Sequence, residues 1–295
     1  MPYWSPLLLL AVVVAAIVAH LALPSVRPWL WKAVAALGVV SLTAHLYLAL
    51  EWAPPEQYMS DVGRILYVHV PHVWMCLLAF TVNVGCSIAY LLKKSWRSDA
   101  LAEASAEVGL YFGACGVLMG SIWAKPTWGV WWDWDPRLIS TTVMLLAYAG
   151  YLALRSFTDD PERRAAWSAA SAILSYISLP IVWFSVKWWN SLHQQQSTPD
   201  TVDKPMTVVL RWGAVTFLCF LFVFIVKRYE LARARQEGAL TFSMPAAVHP
   251  EGIENVGMGV VQGGWEYVYA AYGVGLLGVV LYAVSLVVRT KESKT

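Results

Sequence analysis

Charge is scarce in this sequence. Only 14% of its residues are Asp, Glu, Lys or Arg, against roughly 25% in soluble domains. That shortfall excludes a large soluble domain. The formal net charge of +2 points to no class of partner, and no nucleic-acid partner is expected. Cysteine is scarce too. Cys76, Cys86, Cys115 and Cys219 each lie inside an apolar run, and no C-x-x-C pair occurs. Buried, inert thiols are expected, without a disulfide or a zinc site. C-x-x-C-H is absent, so the chain is not itself a c-type cytochrome. G-x-x-x-x-G-K-[ST] is absent, so any use of ATP must come from a partner. No basic residue precedes the first apolar run, and Pro24 and Pro28 follow it where a small-residue cleavage site would lie. That run is read as a membrane helix, not a signal peptide. No solenoid-type repeat is visible.

What the chain has instead is apolar length. Hydrophobic residues make up 58% of it, and a membrane span needs roughly 20 mostly apolar residues. Eight stretches qualify with zero or one charge: 6–23, 29–50, 70–92, 105–124, 138–157, 168–186, 207–226 and 265–288. The expected fold is an all-α, polytopic membrane helix bundle of about eight helices. A six-helix core, 29–236, has one helix added at each end, in 1–28 and 237–295. Gly109, Gly113, Gly116 and Gly120 would let helices pack closely. Lys93, Lys94 and Arg97 follow one span, Arg155, Arg163 and Arg164 another, and Lys227, Arg228, Arg233 and Arg235 a third. The positive-inside rule puts these loops in the cytoplasm and puts 51–69, 125–137 and 187–206 outside.

The unusual side chains fall on that outer side. The stretch 123–137, W-A-K-P-T-W-G-V-W-W-D-W-D-P-R, holds Trp123, Trp128, Trp131, Trp132 and Trp134, with Asp133 and Asp135 among them. Read as a helix, it puts Trp128, Trp131, Trp132 and Asp135 on one face, although Gly129 and Pro136 limit its length. Flat aromatic faces suit a large planar apolar ligand. The alternative is an interfacial aromatic belt, which explains neither the order of the motif nor its acids. His69 and His193 lie at outer loop–helix junctions. Each could be an ordinary hydrogen-bonded imidazole or a haem-iron ligand, and two at one depth favour the second role. Pro71 would help aim His69. His72 competes weakly with it, while His20, His45 and His249 are given no metal role. Arg64, Lys125, Arg137, Lys187 and Arg211 lie near the outer boundary, as partners for haem carboxylates or as anchors to lipid head groups.

These motifs resemble a known family. W-G-V-W-W-D-W-D-P-R at 128–137 looks like the tryptophan-rich signature of haem-handling membrane proteins. R-I-L-Y-V-H-V-P at 64–71 and W-W-N-S-L-H-Q at 188–194 resemble the haem exporter protein C (CcmC) family of cytochrome c maturation. The resemblance covers roughly 29–226. It implies a six-helix core in the cytoplasmic (inner) membrane, with haem b held non-covalently at the outer, periplasmic face. His69 and His193 would be the axial ligands. Trp123, Trp128, Trp131, Trp132, Trp134, Asp135, Arg137 and Arg64 would form the platform and meet the propionates. It further implies delivery to the haem chaperone CcmE and release of the loaded chaperone by the ABC transporter CcmA–CcmB. Asp133 falls at a variable position and takes no role.

No enzyme activity is expected, although a cytochrome c synthetase of the CcsA or CcmF type shares such a loop. CcsA-type signatures usually run W-D-P-K-E, and here the order is W-D-P-R-L. A substrate transporter would need polar or broken helices at the midplane, and the spans offer little beyond Glu107. Residues 244–289 resemble CcmD, the small single-span partner, with an ordinary extra helix as the alternative. Counting spans puts the tail after 265–288 outside, whereas Arg289, Lys291 and Lys294 prefer the cytoplasm; the covalent count is followed here.

Overall fold

The computed structural model describes residues 5–193, 202–241 and 264–292. Among them the chain is an all-α polytopic membrane bundle. Its helices are α1 (Ser5–Ala22), α2 (Arg27–Tyr47), α3 (Leu66–Lys93), α4 (Trp96–Trp128), α5 (Pro136–Phe157), α6 (Pro161–Tyr176), α7 (Ser178–Trp188), α8 (Lys204–Thr241) and α9 (Gly264–Glu292). Seven helical stretches among the described residues are long and apolar enough to cross a membrane. The described apolar part of α1, Ala11–Ala22, is shorter. His249, Met244 and most of the 237–264 connector lie outside the described residues.

The helices run past the apolar windows that announce them. At about 1.5 Å per residue, the 33 residues of α4 reach about 50 Å, beyond a hydrocarbon core of about 30 Å. Its C-terminal end therefore runs past residue 124 and carries Trp128, expected in a loop, as a helical residue. Lys227 to Arg235, expected as a loop, continue α8. The single span expected over 168–186 is two helices that part at Ile177. Pro180 explains the break: it lacks an N–H, and its ring would strike the Tyr176 carbonyl of a continuous helix.

The α3–α4 pair forms the centre of the bundle, and glycine permits its closeness. A Cβ at Gly109 would stand 2.6 Å from the Phe80 ring. Phe80 in turn stacks on Tyr148 of α5 at 3.5 Å between ring centroids. On the other flank, Ser41 of α2 shares a 2.7 Å hydrogen bond with Thr216 of α8.

The two ends of the bundle differ chemically. At the basic end, Arg155 of α5 holds Asp99 and Glu103 of α4. Arg228 of α8 holds Glu103 and Glu107, and Arg289 of α9 also reaches Glu107. Each buried charge has an opposite partner, which removes the large cost of an isolated ion in a dry interior. These bonds fix the direction of α9. Its Tyr272 hydroxyl donates to the Arg64 carbonyl near the start of α3, at 3.1 Å. Its Arg289 lies at the opposite, basic end. The expectation of a tail on the aromatic side is thus corrected: α8 and α9 both finish at the basic end, as the tail's cations prefer.

A candidate functional site at the aromatic end

His69 sits one turn into α3, where the backbone is helical and the ring position is fixed. Its Nδ1 donates to the Gly116 carbonyl of α4 at 2.9 Å. A carbonyl only accepts, so the lone pair is on Nε2, the arrangement that suits a metal-ligating imidazole. The ring lies across a groove in α4. A Cβ at Gly120 would stand 3.1 Å from His69 Cε1. The glycines that bind the helices together thus also seat this histidine.

The tryptophan-rich stretch does not form the single helical face described for it. The α4 helix stops at Trp128 because Gly129 adopts φ 79°, a left-handed cap whose N–H donates to the Lys125 carbonyl at 3.0 Å. Residues 130–135 then run as irregular chain to the start of α5. This splits the tryptophans into two groups. Trp123, 5% exposed, meets Trp128 edge to face at 5.1 Å. Its indole Nε1 is buried with no hydrogen-bond partner among the described residues. Trp131 and Trp134 are turned outward, 52% and 77% exposed. Trp132 packs edge-on to Trp134 at 6.2 Å, and Lys125 Nζ stands over the Trp131 ring.

His193 joins the inner group. Its ring lies 6.4 Å from Trp123 and 6.3 Å from Trp128, centroid to centroid. His193 lies within electrostatic reach of the His69 ring. His193 thereby reaches the Trp123–Trp128 end of α4, just beyond the Gly120 that seats His69.

Asp135 holds that niche together. It caps α5, with Oδ1 accepting from the Arg137 N–H at 2.8 Å. Its Oδ2 accepts from the Leu192 N–H at 2.7 Å. Burial opposes its ionisation, but hydrogen bonds from the Ser191 side chain and the Arg137 and Leu192 N–H groups outweigh that, and its pKa falls below the usual carboxylate value. Its charge is thus kept by donors from two chain segments.

The cations expected to meet propionates are engaged with protein. The Arg137 guanidinium donates to the Trp183 carbonyl at 3.2 Å and to Ser185 Oγ at 3.4 Å, tying α5 to α7. Arg64 donates to Asp61 at 2.9 Å and to the Ala49 carbonyl at 2.8 Å, and these partners lie away from the tryptophan-rich stretch in sequence. His72 points into the bundle, with Nδ1 bonded to Val68 O at 2.8 Å and its ring 4.2 Å from Phe217. Sequence reasoning passed over Ser191 and the exposed Trp188 and Trp189, although the W-W-N-S-L-H-Q motif contains all three.

Comparison with known proteins gives a consistent family. Residues 6–241 match CcmC, the family described as Heme exporter protein C. The chain is 35% identical over 217 residues to the Heme exporter protein C of Bradyrhizobium diazoefficiens, covering 71% of this chain and 80% of that protein. It is 36% identical over 195 residues to that of Escherichia coli strain K12, covering 65% and 77%. To the Paracoccus denitrificans protein of the same name it is 28% identical over 225 residues, covering 73% and 90%.

Proposed function

The chain belongs to the CcmC, Heme exporter protein C, family, and from that premise we propose that it holds haem b non-covalently at the aromatic end and passes it to the haem chaperone CcmE. His69 and His193 are the axial ligands. Trp123 and Trp128 line the niche, and Trp131, Trp132 and Trp134 extend it as an aromatic apron that keeps a porphyrin out of water. Asp135 and Arg137 act on the protein, fixing the chain that carries these groups. Arg64 braces the start of α3.

The observation that carries this reading is the paired imidazoles. His69 is tautomerically set by the Gly116 carbonyl, and His193 stands between two tryptophans within electrostatic reach of it. The residues fit haem in chemistry: two imidazole nitrogen donors, apolar walls and an indole N–H with no partner among the described residues. The bound group would supply an iron centre with two axial positions; the protein supplies orientation and exclusion of water. By the positive-inside rule the aromatic end faces outward from the cytoplasmic membrane, and α9 ends in the cytoplasm. Residues 1–28 add a helix to the 29–236 core. Residues 237–295 act as a CcmD-like attachment to the transporter CcmA–CcmB.

The test is haem content after purification from haem-replete membranes. His69→Ala and His193→Ala should each lower it, and added imidazole should partly restore it by filling the vacated position. Two single variants with normal haem content and normal spectra would sink the assignment.

A further inference from the structure

The two histidines are held in different ways. His69 is part of α3, and its ring is bonded to α4 across the most closely packed helix pair. His193 is on irregular chain beyond the end of α7 at Trp188. Its backbone N–H donates to Ser191 Oγ at 3.0 Å. The adjoining Leu192 N–H is bound by Asp135 Oδ2 at 2.7 Å. The Asp135 carboxylate, 5% exposed, therefore ties the 191–193 turn to the first turn of α5.

We propose that His193 is the releasable haem ligand and His69 the retained one, with Asp135 as the positioning residue that keeps the His193 turn closed. This rests on the haem-holding reading above. Moving His69 requires its bond to the Gly116 carbonyl to break within the close α3–α4 seam. His193 moves with an irregular turn whose Leu192 N–H is bound by Asp135, beside Leu192 and Trp189, which are already half exposed. Release breaks the bond between iron and the His193 imidazole. The electron pair stays on the nitrogen, iron keeps its oxidation state, and the emptied position is free for a nitrogen donor of the acceptor.

The experiment follows the absorption spectrum of the haem-loaded full chain and the rate at which it loses haem to apomyoglobin. Asp135→Asn can no longer accept from both segments as a carboxylate. Leu192→Pro removes the donor and leaves Asp135 intact. Both variants should shift the spectrum from six- toward five-coordinate while haem stays bound. Both should speed haem loss by about 10- to 100-fold, the usual range for outer-shell partners of a metal ligand. Millimolar imidazole should restore the six-coordinate spectrum, a readout that a merely misfolded protein would not give. His193→Ala should retain part of its haem and lose it faster, whereas His69→Ala should retain much less. If Leu192→Pro and Asp135→Asn both keep the parent spectrum and rate, the positioning role is wrong. Equal retention by the two histidine variants, with both spectra altered, overturns the asymmetry and leaves the haem reading intact. Unaltered spectra in both histidine variants overturn the haem reading itself.

Discussion

At the scale of residues, the site depends on what small groups leave room for. Gly120 has no contact role of its own, yet a methyl there would press on His69 Cε1 from 3.1 Å. The imidazole would have to tilt, lengthening its bond to Gly116. Gly120→Ala is therefore expected to lower haem retention and change the spectrum while the bundle stays folded; alanine is a good helix former. Haem content against thermal stability in detergent checks this, and unchanged haem content would remove the glycine from the site. His69 and His193 were legible in the sequence as a pair. Their fixings were not. The Gly116 carbonyl is main chain, invisible to motif reading, and the Asp135–Leu192 bond joins positions 57 apart. The three residues Trp131, Trp132 and Asp135 read as one face with Trp128 only if the helix continued, and the left-handed Gly129 ends it.

At the scale of elements, apolar length announced the spans, and polar caps set where they begin. Asp135 caps α5 and Asp160 caps α6, each through its side chain. Such caps lie outside an apolar window, so the helices exceed the stretches that reveal them. The α6–α7 break is a one-proline effect within an otherwise apolar run. The direction of α9 was misread because the covalent count was set against the preference of the tail's cations. In the structure Arg289 and Tyr282 both reach Glu107, and Gly275 lies against Val68 and Met119. A cysteine at Glu292 should be protected from a membrane-impermeant thiol reagent in intact cells and labelled after lysis. Labelling in intact cells would reverse α9. Removing residues 244–295 should leave haem bound but weaken association with CcmA–CcmB. Normal cytochrome c maturation by that truncated chain, without a separate CcmD, would count against the CcmD-like role.

At the scale of the whole molecule, the bundle separates two tasks. Its basic end is locked by a chain of ion pairs running through α4, α5, α8 and α9. Its aromatic end holds one ligand candidate rigidly and another on an irregular turn. That division suits a protein that must keep a cargo and still part with it. The central claim is that one haem lies between His69 and His193. The most direct measurement is the low-temperature absorption and electron paramagnetic resonance spectrum of the full chain purified from haem-replete membranes. The account requires a six-coordinate, low-spin, bis-imidazole haem at close to one per chain. A five-coordinate high-spin signal, or a purified chain that carries no haem and takes none up, would contradict it.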